Sequence, residues 1–173
     1  MQRRTKERIL GIDPGTKEMG VAVLQGGELL AHAVHTLRNG DRPHDVIDQA
    51  RRIVLSYLAE YTPAIVGIEK PLLVPTKRAA LVSVIVQELD ARSREIGMKV
   101  VEISAPDVRR ILIGNPYAKK IDVARAIVRM GFEDLSVHVP KDPPHPVLGY
   151  RPRDRYHLHM FDALAVALAV TSL

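Results

Sequence analysis

The chain has 173 residues, with 25 Lys+Arg against 20 Asp+Glu for a net charge of +5, and no cysteine. That length fits one domain with a proper core, and the absence of cysteine excludes disulfides and thiolate zinc sites. No apolar run reaches membrane-spanning length, a cytoplasmic location is expected, and a pI of about 9.6 favours a polyanionic partner, nucleic acid first.

Residues 1–7 read as a basic flexible arm without the apolar core of a signal peptide. Ile9-Leu10-Gly11-Ile12-Asp13 is the pattern of a strand buried on both faces, and Pro14-Gly15 is the turn that ends it. Asp13 therefore closes a buried strand, where a carboxylate is costly without a partner. Gly20 to Leu24 reads as a second strand, Gln25 to Glu28 as a hairpin turn and Leu29 to Leu37 as a third strand, giving an antiparallel meander. Pro43 suits a first helical turn, and apolar residues from Val46 to Leu58 recur at helical spacing.

Ile65-Val66-Gly67-Ile68-Glu69 then repeats the first motif. A helix lies between the two copies, so this strand is expected to run parallel to the first. In each copy the glycine lies two positions before the acid and shares its face. Side by side, the strands would hold Asp13 and Glu69 level, with the glycines leaving room for an element to pack close. Two carboxylates forced together repel unless a proton or a cation lies between them, and divalent ions with oxygen ligands meet that need.

A helix over 75–96 carries Leu81, Val82, Val84, Ile85, Val86 and Leu89 on more than one face. The expectation is one side on the sheet and the other on a second subunit, a homodimer; the alternative is a helix sandwiched in its own core. Lys99 to Ile103 reads as a fifth strand, Ala105 to Ile113 as a short helix and Lys119 to Met130 as another. Residues 134–158 hold Pro140, Pro143, Pro144, Pro146 and Pro152 and read as a proline-rich loop within a single domain spanning 1–173. Arg151, Arg153 and Arg155 make its end basic.

The last helix is expected to start near His159, and Ala163 to Val170 has no polar face. Asp162 is the misfit in that run. His159 and Asp162, three apart, share a face, and in a first turn the helix dipole would keep the imidazole neutral. A neutral imidazole beside a carboxylate can ligate a metal. The alternative is that Asp162 serves the helix N-terminus and His159 is a surface residue. Taken together, Asp13, Glu69, His159 and Asp162 make an oxygen-rich set for two Mg²⁺ or Mn²⁺, of the kind that clamps the attacking water and the leaving oxygen of a phosphodiester. Thiol and serine nucleophiles have no support, since cysteine and Gly-x-Ser-x-Gly are missing; no phosphate-binding Gly-x-x-x-x-Gly-Lys is present either.

From Arg8 onward the chain resembles the RuvC Holliday junction resolvases. Ile9 to Thr16 resembles that family's opening strand with its first catalytic Asp, Ile68-Glu69 its second acid, and His159 to Ala165 its closing helix, where His or Asp precedes the final Asp by three. Ala105-Pro106-Asp107-Val108-Arg109-Arg110, then Gly114 and Ala118-Lys119-Lys120, resembles its DNA-contacting segment, with Lys120 at the position of the family's lysine. The resemblance implies an α/β, ribonuclease H-like fold: a five-stranded mixed sheet, a three-strand antiparallel meander plus two parallel strands, flanked by helices. It implies a crossover junction endodeoxyribonuclease that resolves four-way DNA junctions by paired nicking, with Asp13, Glu69, His159 and Asp162 catalytic and metal-binding. Lys119, Lys120, Arg109, Arg110, Arg151, Arg153 and Arg155 would bind DNA, and a branch-migration motor is a candidate further partner. Leu72, with Leu73 beside it, stands where the family has an aromatic wedge, and Pro116 replaces a family glycine. Gly11 to Lys17 followed by Gly20-Val21-Ala22 is also similar to YqgF-type relatives, so a nuclease of RNA or RNA–DNA hybrid is the alternative. A non-catalytic scaffold is a third reading, against which the intact acid set counts.

Overall fold

The computed structural model describes residues 7–38, 42–71, 74–141, 147 and 149–173. In them the apolar runs become five strands. Strands β1 (Arg8–Asp13), β2 (Glu18–Gln25) and β3 (Glu28–Thr36) form an antiparallel meander. Helix α1 (Pro43–Tyr61) crosses over to β4 (Ile65–Lys70), and α2 (Lys77–Glu95) to β5 (Lys99–Ser104). The sheet order is β3-β2-β1-β4-β5, with β4 parallel to both β1 and β5. Helices α3 (Ala105–Ile113) and α4 (Lys120–Arg129), a 3₁₀ turn at Glu133–His138 and helix α5 (Pro152–Thr171) complete the order.

Local chemistry sets the helix ends. Pro43 opens α1, and Thr62 closes it in the left-handed region at φ 42°. The Thr76 side chain accepts the Ala79 N–H at 3.1 Å to start α2, and Ser104 likewise caps α3 through Asp107 N–H. Gly114 ends α3 at φ 72°, a conformation glycine adopts without a Cβ penalty.

Side-chain alternation divides the core into two layers. Leu10, Ile12, Val21, Val23, Val66 and Ile68 face α1 and α2. Ile9, Ala22, Leu24 and Ile103 face α3, α4 and α5. From Leu158 to Val170, helix α5 is buried between the sheet and α3 and α4, which explains why Ala163 to Val170 lacks a polar face. It lies unusually close to the sheet. A Cβ on Gly11 would come within 2.2 Å of the Ala163 carbonyl oxygen, and one on Gly20 within 2.0 Å of the His159 carbonyl oxygen. Gly67 would meet Val166 Cγ1 at 2.9 Å. The motif glycines are thus the bed of the last helix.

One expectation about the elements is corrected. Helix α5 starts at Pro152, well before His159, so the segment expected as a loop over 134–158 contains a 3₁₀ turn and the opening turns of a helix. Proline lacks the N–H that a first helical residue would leave unpaired, so Pro152 starts the helix that it was expected to block. For α2, the alternative of a helix sandwiched in its own core is set aside. Ile85, Val86, Leu89 and Ser93 are buried, whereas Val84 is 45% exposed, so its own core covers one side only.

Candidate active site

The site lies where β1, β4, α4 and α5 meet. Gly11 pairs with Gly67 and Ile12 with Ile68, so Asp13 and Glu69 follow in step at the ends of two parallel strands, on the face covered by α5. Gly20, opposite Asp13 on β2, lets the α5 backbone settle at His159. That contact brings His159 and Asp162 over the strand ends.

Asp13, His159 and Asp162 each offer a ligand atom, and these atoms all lie within 4.8 Å of one another. Among the described residues no other trio of His or acidic side chains does so. His159 Nδ1 lies 2.6 Å from Asp13 Oδ2, and its Nε2 faces Glu18 Oε2 at 3.3 Å. Asp13 and Asp162 are buried, and Lys120 Nζ donates to Asp162 Oδ2. Glu69 is outside the close trio yet within the field of both aspartates.

Burial, then the charges of Asp13 and Asp162, push the Glu69 carboxyl up to about 8. Burial also raises Asp162, although the Lys120 charge opposes it. For His159, burial lowers the pKa, but the hydrogen bond and charge of Asp13 outweigh it and the net shift is upward. The expectation of a first-turn His held neutral by the helix dipole fails, because His159 lies in the interior of α5 and its neighbour is an acid. Lys120 is held protonated by Asp162, Asp13 and Glu69 in spite of burial. These are the signs of surplus negative charge in a confined space.

The donor set suits a hard divalent cation. Carboxylate oxygens with a single imidazole match Mg²⁺ or Mn²⁺, and the Lys120 ammonium already gathers the acids around a positive charge.

The basic residues divide by location. Lys120, expected to bind DNA, lines the cleft and is ion-paired with Asp162. Lys119 is exposed just before α4, and its N–H donates to Asp122 Oδ2. Arg109 is close enough to Glu69 to lower its pKa, while Arg110 is ion-paired with Asp107. Arg151, Arg153 and Arg155 are exposed at the start of α5. Arg155 joins Lys17, Arg78 and Lys120 around a cleft of about 450 Å³ that reaches His159. Leu72 and Leu73 lie outside the described residues. Sequence reasoning missed Lys17, Glu18 and Arg78. Glu18 had one legible signal: it lies two positions before Gly20, and so on the same strand face.

No family model matches the sequence, and no curated protein matches it. Solved structures do. Thermus thermophilus RuvC is 23% identical, with 94% of this chain and 92% of that one covered and a TM-score of 0.68. T. thermophilus RuvC in complex with a Holliday junction substrate is 22% identical, covering 94% and 91% at a TM-score of 0.69. The yeast mitochondrial Holliday junction resolvase Ydc2 is 12% identical, covering 95% and 78% at 0.58. At these identities the likeness is one of fold: the five-stranded mixed sheet and its helices are the ribonuclease H-like architecture of RuvC. No helix among the described residues is long and apolar enough to cross a membrane.

Proposed function

We propose that this protein is a divalent-metal-dependent endonuclease that cuts four-way DNA junctions. The observation that carries this reading is the convergence of Asp13, His159 and Asp162 at the end of a basic cleft. The shared fold, in one case bound to a Holliday junction, supports the choice of branched DNA.

Asp13, Asp162, His159 and Glu69 would hold Mg²⁺ or Mn²⁺, two ions in the four-residue reading. Bound there, such ions lower the pKa of a water and stabilise the leaving oxygen of a phosphodiester. The rest is the work of the chain. Asp13 and Asp162 are fixed by backbone that cannot move without disturbing the glycine bed. Lys120 offsets their charge and is within reach of an incoming phosphate at the cleft. Lys17, Arg78 and Arg155 bind phosphates along it, which selects shape rather than sequence.

Paired nicking needs two sites, and a two-fold dimer supplies them. The free side of α2 is the surface for that contact. Val74 and Val84 are 50% and 45% exposed there, and Ala80 is exposed between them.

The test is cleavage of a panel of four-way junction, flap, duplex and RNA–DNA hybrid with Mg²⁺ or Mn²⁺, by wild type and Asp13→Asn. Junction cleavage lost in Asp13→Asn, with binding retained, is the expected outcome. Preferential cleavage of hybrid or RNA would replace the substrate, and activity of Asp13→Asn near wild type would remove Asp13 from the site.

A further inference from the structure

His159 has a carboxylate on either side of its ring. Asp13 at the end of β1 meets Nδ1 at 2.6 Å, and Glu18 at the start of β2 faces Nε2 at 3.3 Å. The family resemblance assigns no role to Glu18, and its place is set by backbone that also builds the site. Gly15 closes the β1–β2 turn so tightly that a Cβ there would lie 2.1 Å from the Glu18 carbonyl oxygen. Two residues on, Gly20 carries the His159 backbone. Glu18 and Gly20 share the α5 face of β2, so the contact that seats the helix also aims the carboxylate at the ring. The Glu18 side chain is 32% exposed and the His159 side chain 22%, which puts Glu18 on the solvent side of the ring.

We propose that Glu18 is a positioning residue for His159: it holds the ring by Nε2 and so keeps Nδ1 directed at the cation shared with Asp13 and Asp162. The inference rests on the metal-site reading above. A metal-ligating histidine commonly gives its second ring N–H to a carboxylate, which fixes ring orientation and tautomer. Here that carboxylate comes from a different strand than the metal-binding acids. Catalytic-site contacts of 3.3 Å commonly tighten when substrate and metal bind. Without Glu18 the ring is free to turn about its Cβ–Cγ bond and direct carbon instead of nitrogen at the cation.

The experiment is calorimetric Mn²⁺ binding to wild type, Glu18→Ala, Glu18→Gln, His159→Ala and the Glu18→Ala/His159→Ala double variant. NMR of the Mg²⁺-loaded proteins is run in parallel. Glu18→Ala is expected to weaken Mn²⁺ by roughly 10- to 100-fold and to abolish a slowly exchanging imidazole N–H resonance. Glu18→Gln keeps an acceptor and should stay within about threefold of wild type; a pure charge effect would weaken both variants alike. In the His159→Ala background, Glu18→Ala should cost nothing further, because the pair acts as one unit. Additive losses across this cycle, or unchanged affinity in Glu18→Ala, overturn the role of Glu18 and leave the metal site standing. A wild-type protein that binds no Mn²⁺ overturns both.

Discussion

Lys120, the first residue of α4, places its ammonium on the carboxylate of Asp162 in the interior of α5. The acids therefore have a positive partner of their own before any divalent ion arrives. Removing it should show as a stability defect. Lys120→Met leaves Asp162, whose side chain is 10% exposed, beside Asp13 and Glu69 without its ammonium partner. A fully buried pair broken in this way costs about 3–5 kcal/mol, but Lys120 is 42% exposed, and solvent screening brings the expectation to about 2 kcal/mol. Urea unfolding in EDTA should show this loss, and Mn²⁺ should restore most of it. Equal stability of variant and wild type in EDTA would mean that the ammonium is not what holds the acids together.

Glu69 should give the EDTA-treated protein an inverse pH dependence. Its carboxyl is pushed up to about 8 from 4.5, by burial and then by Asp13 and Asp162. Between those two values the folded chain keeps a proton that the unfolded chain has released. Stability then falls as pH rises through the window and levels off above it. Glu69→Gln removes this dependence and should be more stable than wild type near pH 8. Unfolding midpoints from about pH 5 to 9 check it, with parallel curves for the two proteins as the contrary result.

Two valines on α2, two residues apart, should behave oppositely. Val84 is exposed and Val86 is 3% exposed. Val84→Glu should leave the fold intact and turn a dimer into a monomer in sedimentation velocity, whereas Val86→Glu should unfold the protein by burying a charge. Wild type sedimenting as a monomer at every working concentration would remove the dimer contact from α2.

Junction binding should depend steeply on salt, since each phosphate contact releases counterions. Lys17→Glu, in the β1–β2 turn, and Arg78→Glu, in the first turn of α2, should each weaken binding and flatten the slope of log K against log salt by about one or more. Binding that is flat with salt would place the DNA elsewhere.

The strands were legible because they carry apolar runs bounded by turn signals, and the paired Gly-Ile-acid motifs encoded their own register. Asp13, Glu69 and Asp162 could be read as polar residues set in apolar surroundings. The start of α5 was not legible, because Arg153-Asp154-Arg155-Tyr156-His157 shows no apolar period and Pro152 was read as a breaker rather than as a first residue. Of Glu18, the first residue of β2, only the shared strand face with Gly20 was legible. Its contact with His159 comes from a helix more than a hundred residues later in the chain, and no local pattern reports such a contact. For Lys120 the residue was identified but not its direction. Whether a lysine at a helix start turns to solvent or to an acid depends on how α4 packs on α5.

Gly11, Gly20 and Gly67 lie on three adjacent strands and touch α5 at three different levels. Three points define a plane, so together they set both the height and the tilt of the helix above the sheet. The spacing between Asp13 on its strand and His159 and Asp162 on the helix is therefore inherited from absent side chains rather than from rotamers. Mg²⁺ and Ca²⁺ differ by about 0.3–0.5 Å in preferred ligand distance, a scale comparable to the displacement one methyl group imposes on a packed helix. Gly67→Ala is the mildest such change, since it meets only the methyls of Val166 and Val170. It touches none of Asp13, His159 and Asp162, and a changed Mg²⁺-to-Ca²⁺ preference in calorimetric titration is the expected sign that it tilts the helix carrying the last two.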